Sequence, residues 1–386
     1  MIIGGAMMGS SAAWWLSREP GFDGSILVVE RDFSYEGTST ATTNSCMRQQ
    51  FSNELNIRIS QFAADYVRGF TEWFDDPEVP ELATDHFGYM YLAADDAFAQ
   101  TLRANQALQA SWGAGTHIMT PEEITARYPF YNVDDIVCGS HNTVDEGYFD
   151  GGTMFDTWRT QARRNGVEFV QNEVVAIEHA GGRVHAVELA SGERIGCGSV
   201  VNAAGPRAAS VARMVGAELP VEPRKRYSFV FAAAEPLERA LPLTIDPSGV
   251  HVRTDGGYYQ AGCAPDVDLA VEPDDHRLDH DIFEDKVWPV LAHRIPAFER
   301  IKVVNKWAGH YAYNTLDQNV IVGPHPDISN FVFMNGFSGH GLQQSPAIGR
   351  GVSEVVTFGE YRTLDLGPLG FQRVLESRPF VETAVI

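Results

Sequence analysis

The chain has 386 residues, of which 44% are hydrophobic, and its 29 basic and 51 acidic side chains give a formal net charge of −22. This length and composition exclude a disordered chain and predict a globular protein of about two or three domains. The negative charge disfavours nucleic acid and anionic membranes as partners, and the absence of a membrane-span or signal-peptide pattern predicts a cytoplasmic protein acting on small molecules.

The first sixteen residues, MIIGGAMMGSSAAWWL, predict a strand, a turn and a helix that bind a nucleotide. Gly4, Ala6 and Gly9 occupy the three glycine positions of G-x-G-x-x-G, where the turn and the helix N-terminus hold a pyrophosphate. Alanine at the second position departs from this motif, and the strand Met1–Ile3 is short. A second apolar run, ILVV, ends at Glu30, where an acidic side chain would bond ribose hydroxyls. The order of elements favours a dinucleotide-binding unit over an ordinary glycine-rich turn.

The following segments alternate between helical and strand patterns. Residues 52–74 carry apolar side chains at spacings of three and four, which predicts an amphipathic helix. A second helix is predicted to end at Gly166, followed by short strands with Gly-Gly and Ser-Gly turns that lead back to the first domain. From Arg226 to Tyr313 the pattern predicts a second domain with an antiparallel sheet. The last elements are a strand at VFMN, the turn GFSGHG and a helix from about Ser345 to Thr357.

Two candidate sites have simpler explanations. The turn GFSGHG resembles a nucleophile elbow, but Ser338 is followed by Gly339 and His340, so G-x-S-x-G is broken and serine hydrolysis is disfavoured. We expect the turn to bring the backbone close to a flat ligand, with the next helix directing its positive end at developing negative charge. His276 and His280 are four residues apart among carboxylates, a pattern more typical of an exposed acidic turn than of a metal site.

Arg48 is a third candidate. It stands in NSCMRQQF between small polar residues and glutamines, and its guanidinium suits bidentate binding of a carboxylate, although a surface arginine is the alternative. The cysteines are widely separated, which predicts neither structural zinc nor a disulfide framework and fits a reducing compartment. They are Cys46, Cys138, Cys197 and Cys263.

Several segments together resemble the D-amino-acid-oxidase superfamily of FAD enzymes. They are GGAMMGSS, LVVERD, TNSCMRQQFS, VVNAAGP, EPRKRY, HDIFEDKVWP, WAGHYAYNTLDQNVIVGPHP and NGFSGHGLQQSPAIGR. Within the superfamily the chain resembles the group of FAD-dependent oxidoreductase domain-containing protein 1 and its bacterial relatives, and more distantly the sarcosine, dimethylglycine and glycine oxidases. The resemblance runs from residue 2 to the C-terminus.

The resemblance implies an α/β fold in which a Rossmann-type FAD-binding domain is interleaved with an α+β substrate domain built on an antiparallel sheet. The expected FAD-binding domain comprises 1–80, 145–220 and 315–370, the substrate domain 81–144 and 221–314, and the C-terminal tail 371–386.

The resemblance also implies where FAD binds. Val174 is expected beside adenine, and residues 336–343 around the isoalloxazine ring. A cysteinyl flavin is not expected, because WAGHYAYNT contains no cysteine, and FAD is expected to be non-covalent. His310 in that strand is interpreted as a linker, a pocket residue or a plain strand histidine. The residues expected to contact FAD are Gly4, Ala6, Met7, Met8, Gly9, Glu30, Arg31, Ser45, Met47, Val174, Ala204, Gly205, Gly309, Gly336, Ser338, Gly339, His340, Gly341, Leu342 and Gln343.

The chemistry implied by the resemblance is oxidation of a C–N bond in an amino acid or an N-methylated or secondary amine, by hydride transfer to flavin N5 and hydrolysis of the imine. Arg48 falls where sarcosine-oxidase-like members bind the substrate carboxylate. Tyr259 and Tyr311 are expected to line the pocket, and His310 and His340 are candidate bases by residue type only.

Two glutamines stand where sarcosine oxidases carry lysines. Gln343 replaces a second carboxylate contact, and Gln260 replaces a lysine that assists oxygen activation. Oxygen, a quinone and an electron-transfer protein therefore all stay open as electron acceptors.

Two other functions also stay open. One is a catalytically silent flavoprotein that acts as an assembly or scaffold factor, and the other is a D-amino acid dehydrogenase. Arg48 favours an enzyme, because a scaffold does not need to bind a carboxylate.

Overall fold

The structure, a computed structural model, describes residues 1–383. Its helices are α1 (Met7–Ser17), α2 (Glu54–Arg68), α3 (Asp96–Ser111), α4 (Pro121–Arg127), α5 (Gly151–Arg164), α6 (Ala208–Arg213), α7 (Trp288–Arg294), α8 (Gly341–Phe358) and α9 (Gln372–Leu375). Its strands are β1 (Ile2–Ile3), β2 (Leu27–Glu30), β3 (Cys46–Met47), β4 (Thr84–Asp85), β5 (Tyr89–Ala93), β6 (His117–Met119), β7 (Cys138–Asn142), β8 (Gly147–Phe149), β9 (Glu168–Gln171), β10 (Val174–Ala180), β11 (Arg183–Leu189), β12 (Arg194–Gly196), β13 (Val200–Asn202), β14 (Val221–Ala233), β15 (Leu243–Ile245), β16 (His251–Asp255), β17 (Tyr258–Cys263), β18 (Ile301–Asn314), β19 (Ile321–Pro324) and β20 (Phe331–Asn335).

The glycine-rich turn belongs to a six-stranded sheet of order β19-β20-β13-β1-β2-β9. Its strands run parallel except β19, which pairs antiparallel with β20 at one edge. Helices α1, α5 and α8 pack together on one face, around the fully buried Trp14 and Trp158. The other face packs against α6 and the three-stranded meander β10-β11-β12. Both faces are covered, so the strands are almost uniformly apolar, as expected of a parallel sheet.

A second, eight-stranded sheet has the order β18-β14-β17-β16-β15-β5-β7-β6. It is antiparallel apart from one pair, β15 and β5, which run parallel. The parallel pair joins two separate parts of the chain, because β5, β6 and β7 precede β8 whereas β14 to β18 follow β13. The chain therefore passes between the two large sheets more than once, which agrees with the interleaved α/β architecture implied by the resemblance.

Two helix boundaries differ from the predictions. Helix α2 ends at Arg68, and the apolar spacing continues only because a 3₁₀ turn follows at Phe70–Trp73. Helix α8 begins at Gly341, four residues before the predicted start. Proline at 346 removes the N–H that would bond the carbonyl of Leu342, and the hydroxyl of Ser345 donates to that carbonyl instead at 2.7 Å. The helix can therefore pass through the proline.

The predicted C-terminal tail is packed over 371–383, while residues 384–386 lie outside the described residues. Arg373 and Asp317 form a buried ion pair with Nε to Oδ2 at 2.7 Å. Glu382 is fully buried, and its carboxylate accepts hydrogen bonds from Ser52 and Asn53 at the N-terminus of α2. Within residues 1–383, none of the helices has the length and apolar character needed to cross a membrane.

Candidate cofactor and substrate site

The turn between β1 and α1 is closed so tightly that two of its positions require glycine. Gly4 has φ +96°, and a Cβ there would lie 2.5 Å from the carbonyl oxygen of Ala203. A Cβ on Gly9 would lie 1.8 Å from the carbonyl oxygen of Gly4. Ala6 is the N-cap of α1 and lines the adjoining cavity, so its methyl group is accommodated. The N-terminal end of α1 is thereby presented to the cavity, where it favours a phosphate group.

Glu30 ends β2 directly beside this turn. Its Oε2 accepts from the backbone N–H of Gly5 at 2.7 Å, and its Oε1 accepts from that of Asp32 at 2.9 Å. These bonds fix the carboxylate on the cavity wall, next to the glycine turn. The arrangement has the geometry of a dinucleotide site, in which such an acid meets the ribose hydroxyls.

One cavity is lined both by this turn and by Arg48. Its wall includes residues of both large sheets, and it contains Glu30 and Val174 as well as Gln343. Most of the predicted site residues line it. They are Gly4, Ala6, Met7, Met8, Glu30, Arg31, Arg48, Val174, Ala204, Gly205, Gly309, His310, Tyr311, Ser338, Gly339, His340, Gly341, Leu342 and Gln343.

Four of the predicted cofactor contacts lie behind the cavity wall. Gly9 packs against the carbonyl oxygen of Gly4. Gly336, with φ +73°, packs near Val221 and Asn314. Met47 belongs to the apolar core, and the carbonyl of Ser45 accepts from the N–H of Phe149 at 3.0 Å. None of the four is among the residues that line the cavity. The prediction that they touch the cofactor directly is therefore not supported, because their groups are used in shaping the wall.

Tyr259 corrects a further prediction. Its ring packs on Phe231 and Phe298, with centroids 5.5 and 4.6 Å away, and its hydroxyl accepts from the N–H of Leu237 at 2.8 Å. Side chains alternate along β17, so Gln260 and not Tyr259 faces the cavity side. The prediction that Tyr259 walls the pocket is wrong.

Arg48 follows β3 and is 2% exposed, yet it lines the cavity. Its Nη1 donates to the carbonyl of Gln50, and its Nη2 lies 2.9 Å from Nε2 of His340. The guanidinium carbon is 4.0 Å from the centroid of the Phe51 ring. The backbone N–H of Arg48 donates to Oε1 of Gln343 at 2.7 Å. A cation is thus fixed on the cavity wall by groups from two distant segments of the chain, 48–51 and 340–343.

His340 is the N-cap of α8, beside that cation. Because an arginine nitrogen can only donate, Nε2 of His340 must accept in this contact, which fixes the imidazole as neutral with its proton on Nδ1. The guanidinium and the positive end of α8 both oppose a second proton. His340 therefore provides a neutral imidazole next to Arg48.

Ser338, in the same turn, has φ +50°, a left-handed conformation unusual for serine. Its hydroxyl accepts from the N–H of Asn314 at 2.9 Å and is buried. The hydroxyl is used to hold the turn against β18, which agrees with the sequence argument against serine hydrolysis.

His310 lines the cavity from β18. Its Nε2 lies 3.0 Å from the carbonyl oxygen of Asp275, and its ring is 4.4 Å from that of His276. Burial lowers the pKa of His310, so this imidazole is neutral near pH 7. The ring of His276 thus packs against that of His310. Residues 1–383 contain no group of three or more side chains arranged to hold a metal ion.

The same acidic segment crosses to the nucleotide end of the cavity. Asp274 pairs with Arg31 at 3.2 Å and also with Arg207. Hydrogen bonds from Arg207 and Arg31 lower the pKa of Asp274 to about 2. This stretch is exposed, as the sequence predicts, with the Asp274 side chain 69% exposed, and its ion pairs also link it to two arginines that line the cavity.

A polar cluster that the sequence did not reveal surrounds Gln260. Its Oε1 accepts from Nη2 of Arg253 at 2.6 Å, and its Nε2 donates to Asn44, which in turn contacts Nε2 of His251 at 3.1 Å. Arg253 is paired with Asp255 at 2.9 Å. Burial lowers the pKa of His251 to about 4. Asn44 and His251 line the cavity and are uncharged at neutral pH, whereas Arg253 is not among the lining residues.

Glu146 is a second residue that no motif indicated. It is fully buried, and its carboxylate accepts from the N–H of Gln49 at 2.7 Å and from the amides of Gln50 and Asn142, each at 2.9 Å. Burial raises the pKa of Glu146 to about 7, although these donors and Arg48 favour the ionised form. The carboxyl group therefore titrates near neutral pH. It is bonded to the side chain of Gln50, whose backbone carbonyl accepts from Arg48.

The raised pKa predicts a pH-dependent stability. A carboxyl with a pKa of about 7 when folded and 4.5 when exposed contributes stability in its protonated form, and loses it as the pH rises through 7. Relative to Glu146→Gln, the wild type should lose about 2.5 kcal/mol of unfolding free energy between about pH 5 and about pH 8. Urea unfolding of both proteins at these two pH values measures it. A difference that stays constant with pH would contradict the assignment.

The glycine turn and the acid at the end of β2 define a dinucleotide site. A buried arginine lines the same cavity, which is the arrangement of a dinucleotide-dependent oxidoreductase. A family model described as FAD dependent oxidoreductase (DAO) matches residues 1–355. The chain belongs to this family, and its cofactor is FAD. The tight turn at Gly4 and Gly9, where a Cβ would clash with neighbouring backbone, fits the pyrophosphate of that cofactor.

Individual relatives agree with this assignment. FAD-dependent oxidoreductase domain-containing protein 1 from Bos taurus is 37% identical over 409 residues, covering 97% of this chain and 84% of that protein. Its homolog from Drosophila melanogaster is 34% identical and covers 99% and 79%. Mitochondrial sarcosine dehydrogenase from Homo sapiens is more distant, at 22% identity over 93% of this chain and 39% of that protein.

Solved structures share the fold. L-proline dehydrogenase from P. horikoshii superimposes with a TM-score of 0.85 at 24% identity, covering 98% of both chains. Glycine oxidase from Geobacillus kaustophilus gives a TM-score of 0.79 at 18% identity, covering 96% of both. The α/β fold implied by the resemblance is confirmed, and so is the assignment as an FAD-dependent oxidoreductase.

Proposed function

We propose that the protein oxidises the C–N bond of a small amino acid, or of an N-methylated or secondary amine that carries a carboxylate. Arg48 carries this proposal, because it places a buried guanidinium on the wall of the cavity that binds the cofactor. FAD supplies the chemistry when bound, by accepting two electrons and a proton as hydride from the carbon next to the nitrogen. The imine that results hydrolyses to an aldehyde or a keto acid and an amine.

The residues around Arg48 suit a carboxylate. Gln343 uses its Oε1 to accept from the backbone of Arg48, and this orients its amide N–H groups away from that peptide. Arg48 and Gln343 then offer a cation and a neutral donor to one anion. Both side chains are buried, so water is excluded and the attraction is stronger than at a surface. Positioning of the reacting carbon is thus the main contribution of the protein.

The proton balance also fits this arrangement. The amine must be neutral before the hydride leaves, so a cationic amine substrate must lose a proton. His340 and His310 both present neutral imidazoles to the cavity. We propose His310 as the candidate to accept that proton, because Nε2 of His340 already accepts from Arg48, whereas Nε2 of the neutral His310 donates to the carbonyl of Asp275 and leaves the lone pair of Nδ1 for a proton.

An anaerobic titration of the purified holoenzyme tests the proposal. The visible flavin band is recorded while sarcosine, dimethylglycine, other N-methyl and cyclic amino acids, and D-amino acids are added one at a time. Bleaching by a member of this panel supports the proposal and identifies the substrate class. An intact band with every compound, in a protein that binds FAD, would refute C–N oxidation of these classes.

We further propose that FAD is bound non-covalently and passes its electrons to a quinone or an electron-transfer protein rather than to oxygen. Strand β18 contains no cysteine. Asn44 and His251, which line the cavity, are uncharged at neutral pH, and Gln260 bonds Asn44 from behind where a lysine would offer a cation. The neighbouring Arg253 is already paired with Asp255 and bonded to Gln260, whereas an unpaired ammonium group at this place would stabilise the negative charge that develops on oxygen.

Gln260→Lys is therefore expected to speed reoxidation by air, roughly tenfold or more. Stopped-flow mixing of the reduced protein with aerated buffer measures the rate, and Gln260→Met serves as the uncharged control. A wild-type rate equal to that of Gln260→Lys would contradict the proposed acceptor.

A further inference from the structure

The segment after β3 places Arg48, and it is held by an unusual concentration of buried hydrogen bonds. Residues 48–50 are 2–4% exposed, although they form no helix or strand. Buried backbone outside regular structure needs specific partners for its N–H and C=O groups. Here Glu146 accepts from the N–H of Gln49, Gln343 accepts from that of Arg48, and the carbonyl of Gln50 accepts from the Arg48 side chain.

The carboxylate of Glu146 binds both the backbone and the side chain of this segment. Oε1 accepts from the N–H of Gln49 at 2.7 Å, and Oε2 accepts from the side-chain amide of Gln50 at 2.9 Å. Asn142, at the end of β7, donates to Oε1 at 2.9 Å and so fixes the carboxylate itself. Three N–H donors therefore converge on one carboxyl group, two of them on Oε1 and one on Oε2.

Gln50 transmits this constraint to Arg48. Its side-chain oxygen accepts from the hydroxyl of Ser140 at 2.8 Å, and its amide donates to Glu146. Its backbone carbonyl accepts from Nη1 of Arg48. The carbonyl that holds the guanidinium thus belongs to a residue whose side chain is bonded to both Ser140 and Glu146. This restricts the four side-chain torsions of Arg48.

The hydrogen bonds of Glu146 and Gln50 also join two parts of the fold. Glu146 precedes β8, which pairs with β3 in a small sheet, whereas Ser140 and Asn142 lie on β7 of the eight-stranded sheet. The position of the guanidinium along the cavity is thus fixed relative to the sheet that forms the opposite wall.

We propose that Glu146 is a positioning residue, which sets the direction of the Arg48 guanidinium through Gln49 and Gln50 and thereby tunes recognition of a carboxylate-bearing substrate. The inference rests on the proposed function only for the identity of the anion. A substitution at Glu146 should disturb the segment 48–50 first, and substrate binding as a consequence.

Hydrogen exchange of the holoenzyme tests the positioning directly. In Glu146→Ala and Glu146→Gln, the peptide that spans residues 46–52 should exchange roughly tenfold faster or more, because the N–H of Gln49 loses its acceptor or has a weaker one. Glu354→Gln is the matched control. Glu354 is also buried, but it lies near the C-terminal end of α8 and accepts from Arg362 and Thr363, which follow that helix. Unchanged exchange of this peptide in both Glu146 variants would overturn the inference.

Kinetics with the substrate found above provide the second readout. Glu146→Gln should raise KM for the carboxylate substrate by roughly tenfold and change kcat less, with a smaller effect on the corresponding amide. In the background of Arg48→Met, the same substitution should add almost nothing, whereas Glu354→Gln should have no effect in either background. Equal effects of Glu146→Gln with and without Arg48 would refute the coupling. The exchange result does not depend on any substrate, so it separates this inference from the proposed function.

Discussion

Replacing Arg48 by methionine is expected to raise KM for a carboxylate-bearing substrate by roughly 100-fold, which corresponds to about 3 kcal/mol of lost binding. The loss is large because the guanidinium is 2% exposed and the anion would then enter a buried site without its cation. Steady-state kinetics, or anaerobic titration of the flavin band with the same substrate, measure the change.

Arg48→Lys is the matched variant for this experiment. Lysine keeps the charge but lacks the planar fork that meets Gln50 and His340 together, so an intermediate loss of about tenfold is expected. The substrate amide, which carries no charge, should be affected much less by either substitution. Equal losses for the acid and its amide would show that Arg48 does not bind the carboxylate.

Replacing Gly9 by alanine is expected to yield a protein that carries less than about a tenth of the wild-type FAD, or one that fails to fold. The added Cβ would lie 1.8 Å from the carbonyl oxygen of Gly4, and neither a Cβ, which is fixed by its own backbone, nor a backbone carbonyl can rotate away. Separating α1 from β1 would distort the turn and cost about 3 kcal/mol or more. The ratio of flavin to protein absorbance after purification, and the melting temperature, measure the outcome.

Gly198→Ala is the control for this substitution. No atom lies within 4 Å of a Cβ at position 198, and its φ is outside the left-handed region. Wild-type FAD content and stability are expected there. A Gly9→Ala protein that also retains full FAD content would contradict the steric argument.

The local parts of the fold could be predicted because their signals are local. The turn at Gly4 and Gly9, the acid at Glu30 and the helix that ends before Gly166 each depend on a few neighbouring residues. Helix α8 was placed four residues late because proline at 346 is a strong helix-breaking signal. Only the hydroxyl of Ser345, which replaces the missing donor, reveals that the helix continues.

The errors and omissions in the site depend on residues that are distant in sequence. Tyr259 has the right composition for a pocket wall, but which face of β17 it occupies is decided by pairing with β14 and β16. Asn44 meets His251 across 207 residues, and Glu146 meets Gln50 across 96. No motif joins such pairs, so a single sequence contains no signal for them. Arg48 is a candidate by its polar neighbours alone, and the resemblance is what favours carboxylate binding over a surface arginine.

The order of the strands in the six-stranded sheet has a consequence for synthesis of the protein. β1 is made before its partners, because it pairs on one side with β13, which in turn pairs with β20 at Phe331–Asn335. The glycine turn contacts Ala203, so the phosphate cradle has no second wall until that residue has been made. A nascent chain therefore has no complete place for FAD until β13, β20 and the turn after β20 have all been made. Cofactor loading is expected only once these distant segments have assembled, and growth conditions that limit riboflavin should accumulate the apoprotein.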